Sequence, residues 1–331
     1  MSGLRRRLRV SAVLLTATAL FAAGCGGGGS DKSSANAGGL EKTELNIGML
    51  PLPETAPIQI AIDKGFFKAE GLTVTKPTII AGGAAGMADL LSGKLDVMHS
   101  NYVSAITTAA TGVGKIKVVG EAWTAKPGNF ALMVKKGSPI KSVADFKGKT
   151  VAVNTFKNVA ELAMLSLLKT NGLTPEDVTF KEMPFPQMQG GLATNQMDVA
   201  FMPEPFYQTA ASKDGAVLVA EPFAGPTADF PIAGYLVTED FAKKNPKTVA
   251  AFQRALVKAT EVAISNSAEV EAALPKYTKI DRATAELMVL GGFSTTVNAT
   301  RLQRVADLMT DFKYLPSKFD ASSMIYSGSA S

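Results

Sequence analysis

The amino-acid sequence predicts an α/β protein of two lobes, joined by two crossings, with a ligand cleft between the lobes. Three observations predict this. Short apolar segments alternate with helical ones from residue 45, a second such series begins near residue 130, and the last part of the chain is mostly helical. Alternating strands and helices favour parallel sheets with helices on both faces. Because the C-terminal helices need a sheet to cover, we expect them to pack back on the first lobe.

The first series of elements extends to about residue 123. Apolar patterns predict strands at 45–50, 71–77, 95–98 and 115–123. Helices are predicted between these strands. In the first helix Ile58, Ala61 and Ile62 recur at helical spacing, and Gly65 is expected to end it in the left-handed conformation.

The second series builds a smaller α/β lobe. Its predicted strands are 130–136, 150–154, 178–184 and 199–202, with helices between them. A further strand at 231–241 returns the chain to the first lobe, and the C-terminal helices follow it. The expected division is therefore 43–128 with 233–331 for lobe 1 and 129–232 for lobe 2. Ligands of open α/β sheets bind at the carboxyl ends of strands, which places the cleft between the lobes.

The N-terminal segment 1–24 is predicted to be a signal peptide. Four arginines lie near its start, and about fourteen apolar or small residues follow, too few for a membrane span. Small residues then precede Cys25, the only cysteine of the chain. This arrangement resembles the lipobox of bacterial lipoproteins and implies a lipid on Cys25. A structural cysteine, a catalytic thiol or an intermolecular disulfide would not explain its place after a signal-like segment. General secretory and twin-arginine export both stay open.

Composition excludes some classes of partner. Residues 25–42 are rich in Gly, Ser and Asn and are expected to form a flexible tether. Removal of 1–24 takes four arginines away and lowers the formal net charge from +5 to +1. The remaining chain has no Lys/Arg patch of the kind that neutralises a phosphate backbone, so no nucleic-acid partner is expected.

Three motifs carry a resemblance to a known family. They are IQIAIDKGFFKAEGLTV at 58–74, GSPIKSVADFKGKTVAV at 137–153 and DVAFMPEPFYQTA at 198–210. With the lipobox, they resemble the nitrate/sulfonate/taurine substrate-binding proteins of ABC importers, a group that includes binders of thiamine-pyrimidine precursors. The resemblance covers roughly 45–240. It implies a type II periplasmic-binding-protein fold, capture of a small solute by hinge bending, and delivery to a permease.

The first lobe offers candidate ligand-binding residues at two turns. Gly82 and Gly83 lie at a predicted helix start, where free backbone N–H groups suit an anionic or carbonyl oxygen, although a plain tight turn would also need glycine. Ser100, Asn101 and Tyr102 follow a strand, where they could face the cleft or cap the next helix. Glu54, after the first strand, completes this set of candidates.

The second lobe and the crossings supply the remaining candidates. Thr155 and Phe156 lie in the turn after a strand, and Asn158 is either a helix cap or a ligand contact. Glu204 stands between two prolines, which give it a defined direction. The resemblance places it at the cleft floor, and a first-turn position in a helix is the alternative. Trp123 could stack on a ligand or fill the hinge.

Histidine and arginine are scarce in this sequence, and this limits the binding and catalytic chemistry that the cleft can have. His99 is the only histidine, so a multi-histidine metal site and Cys/His catalysis are not expected, and we predict neither a metal, a cofactor nor an enzyme. The four arginines after residue 24 all lie in the C-terminal helices, so guanidinium recognition of a sulfonate or carboxylate in the cleft is not expected. A small oxyanion held by helix termini and a neutral heterocycle stacked on aromatic rings both stay open.

The resemblance and the lipobox thus imply a monomeric solute-binding protein of an ABC importer, anchored to the outer face of a bacterial membrane by its lipid. The expected solute is a sulfonate, nitrate, taurine or similar small molecule. The alternative is a thiamine-precursor pyrimidine or another aromatic heterocycle. Two other functional classes are considered. One is a pyrimidine synthase of the same fold, which uses a Cys-rich segment and metal-binding His that this chain lacks. The other is a receptor lobe that serves no transporter.

Overall fold

The computed structural model describes residues 39–328. Its ten strands within this range are β1 (Ile47–Met49), β2 (Thr78–Ile79), β3 (Val97–Asn101), β4 (Ile116–Thr124), β5 (Phe130–Val134), β6 (Lys149–Val153), β7 (Val178–Glu182), β8 (Val199–Pro203), β9 (Val217–Ala220) and β10 (Pro231–Thr238).

The described residues form twelve α-helices, with short 3₁₀ turns between some of them. The helices are α1 (Ala56–Asp63), α2 (Phe66–Ala69), α3 (Gly83–Leu91), α4 (Tyr102–Ala110), α5 (Val159–Thr170), α6 (Phe185–Ala193), α7 (Phe206–Asp214), α8 (Glu239–Lys244), α9 (Pro246–Ser265), α10 (Ser267–Ala273), α11 (Arg282–Glu286) and α12 (Ala299–Asp311).

The strands form two five-stranded sheets. The first sheet has the order β2-β1-β3-β10-β4 and the second has the order β7-β6-β8-β5-β9. In the first sheet β1 is parallel to β2 and β3, whereas β10 runs antiparallel to β3 and β4. In the second sheet β6 is parallel to β7 and β8, and β5 is antiparallel to β8 and β9. The chain passes from the first sheet to the second between β4 and β5 and returns before β10. The two sheets confirm the predicted two-lobed α/β architecture, but both are mixed and not parallel throughout as predicted, because β10 and β5 run antiparallel to their neighbours.

The C-terminal helices pack on the first sheet, as expected from their need for a sheet to cover. Helix α9 contacts α1, α2 and β4, and α12 contacts α4 and β10. Phe252 of α9 is buried between the rings of Phe67 and Tyr235, at centroid distances of 5.8 and 6.2 Å. Burial of large aromatic side chains dominates the stability of such a core.

Two elements differ from the sequence prediction. The predicted strand at 71–77 is wrong, because this segment has only an isolated bridge from Thr73 to Glu44, and pairing with β1 begins at Thr78. Pro77 has no N–H to donate, so regular pairing starts after it. Strand β9 was not predicted. It is an edge strand whose Val217 and Leu218 stay exposed, and exposure removes the burial pattern that marks a strand.

The residue limits given for the two lobes stay a prediction. The first sheet takes its strands from 47–124 and 231–238, and the second from 130–220. No helix among residues 39–328 is both long and apolar enough to cross a bilayer. The signal peptide, most of the tether and Cys25 lie outside the described residues.

Candidate functional site

A cavity of about 70 Å³ lies between the two sheets and is the candidate ligand site. Its walls are mainly apolar and include the rings of Trp123, Phe130, Phe185 and Phe201. Six polar side chains also line it: Glu54, His99, Asn101, Asn129, Asn154 and Glu204. An apolar cavity with a few convergent polar groups is the common form of a small-molecule site.

The strand ends explain why these residues meet. Glu54 follows β1, Asn101 ends β3, Asn154 follows β6 and Glu204 follows β8. The carboxyl ends of parallel strands in an open α/β sheet face the ligand crevice. Asn129 lies directly before β5, in the crossing between the sheets. The lining therefore draws residues from both sheets and from the chain segment that joins them.

Unpartnered polar atoms are concentrated at this cavity. Eight buried side-chain nitrogen or oxygen atoms of the described residues have no hydrogen-bond partner. Five of the eight belong to lining residues, namely both ring nitrogens of His99, Nδ2 of Asn129, Oδ1 of Asn154 and Oε2 of Glu204. Leaving a buried polar atom unpaired costs about 1–3 kcal/mol, so such a cluster marks a site that a polar solute would complete.

Glu204 is the most informative of these groups. Its Oε1 accepts a 2.8 Å hydrogen bond from the backbone N–H of Val289, whereas its Oε2 has no partner. Burial raises the pKa of Glu204 to about 7, while the Val289 N–H and then the Tyr207 and Gln208 side chains lower it in part by stabilising the carboxylate. Near neutral pH, then, this carboxyl group can offer the cavity a charged acceptor.

His99 and Glu54 form a second polar pair in the lining. His99 Nε2 lies 3.0 Å from Glu54 Oε1. The two groups are not aligned for a hydrogen bond, so neither ring nitrogen is satisfied by a described residue. Both side chains are buried, and His99 is also in edge contact with the ring of Tyr235, at 5.8 Å between centroids. The pair can present an imidazole and a carboxylate to one solute.

Four of the residues proposed from the sequence line the cavity. They are Glu54, Asn101, Trp123 and Glu204. Asn101 also caps α4, because its Oδ1 accepts from the N–H of Ser104 at 2.9 Å. Asn101 can therefore cap helix α4 and line the cavity at the same time.

The other proposed residues lie outside the lining. Gly82 and Gly83 begin α3, and a Cβ on Gly83 would stand 2.5 Å from Ser100 Oγ, so close packing accounts for this glycine. Ser100 and Tyr102 are fully buried. Thr155 is half-buried and Phe156 is 46% exposed. A ligand role for these residues stays a prediction.

Asn158 caps helix α5, which is one of the two roles that the sequence left open for it. Its Oδ1 accepts from the N–H of Val159 at 2.8 Å, which makes it the cap of α5. Its Nδ2 donates to Ser104 Oγ at 3.1 Å in a buried contact. Because Ser104 belongs to α4 on the first sheet, this bond joins elements of the two sheets. Asn158 therefore forms a hydrogen bond between the two lobes, and a direct solute contact stays a prediction.

The cavity lining contains no lysine or arginine, whereas it contains two carboxylates. A small oxyanion at this place would lack a positive partner and would face Glu54 and Glu204. The described residues also hold no cluster of three or more His, Cys, Asp or Glu side chains placed for a metal ion. The chemistry of the lining suits a solute that donates hydrogen bonds.

Sequence reasoning missed Asn129, Asn154 and the position of His99 in the cavity lining. Asn129 lies next to Gly128 at the crossing between the sheets, and Asn154 ends the predicted strand at 150–154. The polar amide side chain at each position is the sequence feature that could have marked these residues as candidates for the cavity lining. His99 was considered only as a metal ligand or a catalytic group, although a single buried imidazole can equally bind a solute.

Comparison with known proteins gives a consistent picture. The family model described as NMT1/THI5 like matches residues 52–270. The nitrate/nitrite binding protein NrtA of Nostoc sp. strain PCC 7120 is 26% identical over 249 residues, which cover 69% of this chain and 56% of NrtA. The taurine-binding periplasmic protein of Escherichia coli K12 is 31% identical over 229 residues, which cover 67% of this chain and 68% of that protein. The chain thus spans only about half the length of the nitrate-binding relative.

Solved structures agree on the fold. The periplasmic aliphatic sulphonate binding protein SsuA from Escherichia coli superposes with a TM-score of 0.72 at 20% identity, over 86% of this chain and 98% of that chain. This likeness confirms the periplasmic-binding-protein fold that the sequence motifs implied.

Proposed function

Because this chain belongs to the NMT1/THI5-like family, we propose that it is the extracytoplasmic solute-binding component of an ABC importer. The observation that carries the proposal is the cavity between the two sheets, where five unpartnered buried polar atoms converge. A solute that bonds to groups of both sheets binds the closed arrangement better than an open one, and this difference in affinity drives closure. Binding and delivery, without chemical conversion, is the proposed role.

For the solute we propose a flat heterocycle with hydrogen-bond donors, of the aminopyrimidine type. Glu204 Oε2 needs a donor, and Asn129 Nδ2 needs an acceptor. An amino group beside a ring nitrogen offers both on one edge. The Trp123 ring in the cavity wall supplies an aromatic surface for such a molecule.

Nitrate, taurine or a sulfonate is the second candidate, and the relatives that carry those names support it. Taurine has an ammonium group that could pair with Glu204. Its sulfonate, however, would have to be held by the Asn amides and His99, because the lining offers no lysine or arginine. The chemistry of the lining therefore favours the heterocycle over the anions.

A thermal-shift screen of the mature protein tests the proposal. The panel contains nitrate, taurine, an alkanesulfonate and 4-aminopyrimidine. We expect the aminopyrimidine to raise the melting temperature, since a ligand at 100 times its dissociation constant stabilises by about 2.7 kcal/mol. A shift with nitrate or the sulfonate alone would promote the second candidate, and no shift with any compound would count against a small-solute role.

The proposal includes export and a lipid anchor on Cys25. Cys25→Ala should abolish incorporation of radioactive palmitate, because the chain has no other thiol. Ser30→Ala, in the same Gly/Ser-rich stretch, serves as the matched control and should keep the label. Equal labelling of the Cys25→Ala variant and the control would refute the anchor.

A further inference from the structure

The connection between α11 and α12 lies next to residues that line the cavity. Within it, Gly292 exchanges two backbone hydrogen bonds with Thr124 at the end of β4, at 2.8 and 2.9 Å. The ring of Phe293 packs edge-on against Trp123, with 4.9 Å between centroids. The connection is thereby fixed to the first sheet, beside a residue that lines the cavity.

Residues 287–293 also contact the other side of the site. The N–H of Val289 donates to Glu204 Oε1, and Glu204 follows β8 of the second sheet. A Cβ on Gly291 would lie 2.3 Å from Asn129 Nδ2 and 2.4 Å from Trp123 Cε2, so only glycine allows this close approach. The segment therefore contacts three lining residues, which belong to both sheets and to the crossing between them.

The side chains of this segment divide between core and surface: Met288 is buried and Leu290 packs against the core. Leu287 is 69% exposed and Val289 is 40% exposed, although both side chains are apolar. Segments with few buried apolar contacts open at a lower free-energy cost than the core does. At Val289, whose side chain is partly exposed, the backbone hydrogen bond to Glu204 Oε1 is the contact that ties the segment to the end of β8.

We infer that residues 287–293 act as a clasp on the bound solute, and that Glu204 couples the clasp to the solute. One oxygen of Glu204 holds Val289, and the other is available to a donor in the cavity. This inference rests on the proposed function for the identity of the site, and it adds a positioning role for a segment that does not line the cavity.

The coupling has a simple electrostatic origin. A solute donor at Oε2 stabilises the ionised carboxylate, and an ionised carboxylate accepts the Val289 N–H more strongly than a neutral carboxyl group does. Because the pKa of Glu204 is about 7, a bound donor can increase the ionised fraction of this carboxyl group near neutral pH. The Tyr207 and Gln208 side chains also lie beside this carboxyl group and favour its ionised form, and the Tyr207 hydroxyl donates to the Gly128 carbonyl. By linkage, closing the clasp strengthens the hold on the solute to the same degree.

Amide hydrogen exchange tests the clasp without any solute. Glu204→Gln replaces the charged acceptor by a neutral one, and we expect the Val289 amide to exchange about tenfold faster at pH 8. Glu182→Gln is a matched control, because Glu182 accepts from the backbone N–H of Phe156 at 2.9 Å, away from the clasp. Equal Val289 exchange in the two variants would overturn the clasp.

A second measurement tests the coupling. Gly291→Ala should push the clasp off Trp123 and Asn129 and speed the dissociation of 4-aminopyrimidine about tenfold. Trp123 is the only tryptophan, so its fluorescence follows the event. The control is Gly190→Ala, where a Cβ meets nothing within 4 Å. An unchanged rate for Gly291→Ala would overturn the coupling.

A double variant separates coupling from a general loss of binding. Gly291→Ala combined with Glu204→Gln should speed dissociation by less than the product of the two single effects, because both substitutions weaken the same contact between the clasp and that carboxylate. If the increases in dissociation rate caused by the two substitutions multiply in the double variant, the coupling is refuted. If 4-aminopyrimidine does not bind at all, the proposed solute fails, and the exchange experiment still decides whether the clasp exists.

Discussion

Glu204→Gln is expected to raise the free energy of unfolding by about 3 kcal/mol at pH 8 and to change it little at pH 4. The reason is the burial of this carboxyl group, which raises its pKa from the usual 4.5 to about 7. Each unit of pKa difference between the folded and unfolded states corresponds to about 1.4 kcal/mol. Chemical denaturation of the solute-free protein across this pH range measures the effect.

The sign follows from proton linkage. Below pH 4.5 the carboxyl group is protonated in both the folded and the unfolded chain, so glutamate and glutamine are both neutral. Between pH 4.5 and 7 the unfolded chain releases the proton while the folded chain keeps it, so the wild-type protein loses stability as the pH rises. Above pH 7 the loss is complete and constant, and glutamine avoids it.

A matched control separates this effect from a general change of charge. Glu261 is exposed on α9, and Glu261→Gln should leave the pH profile parallel to that of the wild type. If the profiles of Glu204→Gln and Glu261→Gln coincide, the buried carboxylate does not have the raised pKa on which this account depends.

Much of the fold could be predicted from the sequence because its elements are local. The alternation of apolar strands and amphipathic helices marked both sheets, and the left-handed end of the first helix at Gly65 is confirmed, with φ of 70°. Strand β9 was not predicted because its side chains are exposed at the edge of the sheet and show no burial pattern. The strand expected at 71–77 failed because Pro77 delays pairing until Thr78.

The candidate site was predictable only in part, for a physical reason. Glu54, Asn101, Trp123 and Glu204 could be proposed because strand ends in open α/β sheets point to the crevice. The contact between Glu204 and Val289 joins residues 85 positions apart, and no local pattern carries such a pairing.

The charge of the solute could also not be predicted from the sequence. Helix starts rich in glycine suggested an oxyanion, because free N–H groups favour negative charge. In the structure Gly83 packs against Ser100, and the cavity lies beside two carboxylates. Which polar groups end in the same cavity depends on tertiary packing, so the balance between anion and heterocycle could be judged only from the folded chain.

The largest expected effect on binding is also at Glu204. Glu204→Gln turns the free acceptor at Oε2 into an amide that cannot carry a charge. A charge-assisted hydrogen bond contributes about 1.5–3 kcal/mol, so the affinity for a donor-bearing heterocycle should fall roughly 10- to 150-fold. An anion would respond in the opposite direction, since removal of a nearby negative charge favours its binding.

Isothermal titration of the wild-type protein and of Glu204→Gln, each with 4-aminopyrimidine and with nitrate, tests the central claim most directly. We predict that the wild type binds the aminopyrimidine and that Glu204→Gln binds it at least about tenfold more weakly at pH 8. Nitrate should bind neither protein measurably. Tight nitrate binding that is unchanged or improved in Glu204→Gln would contradict the claim that this cavity selects a hydrogen-bond donor.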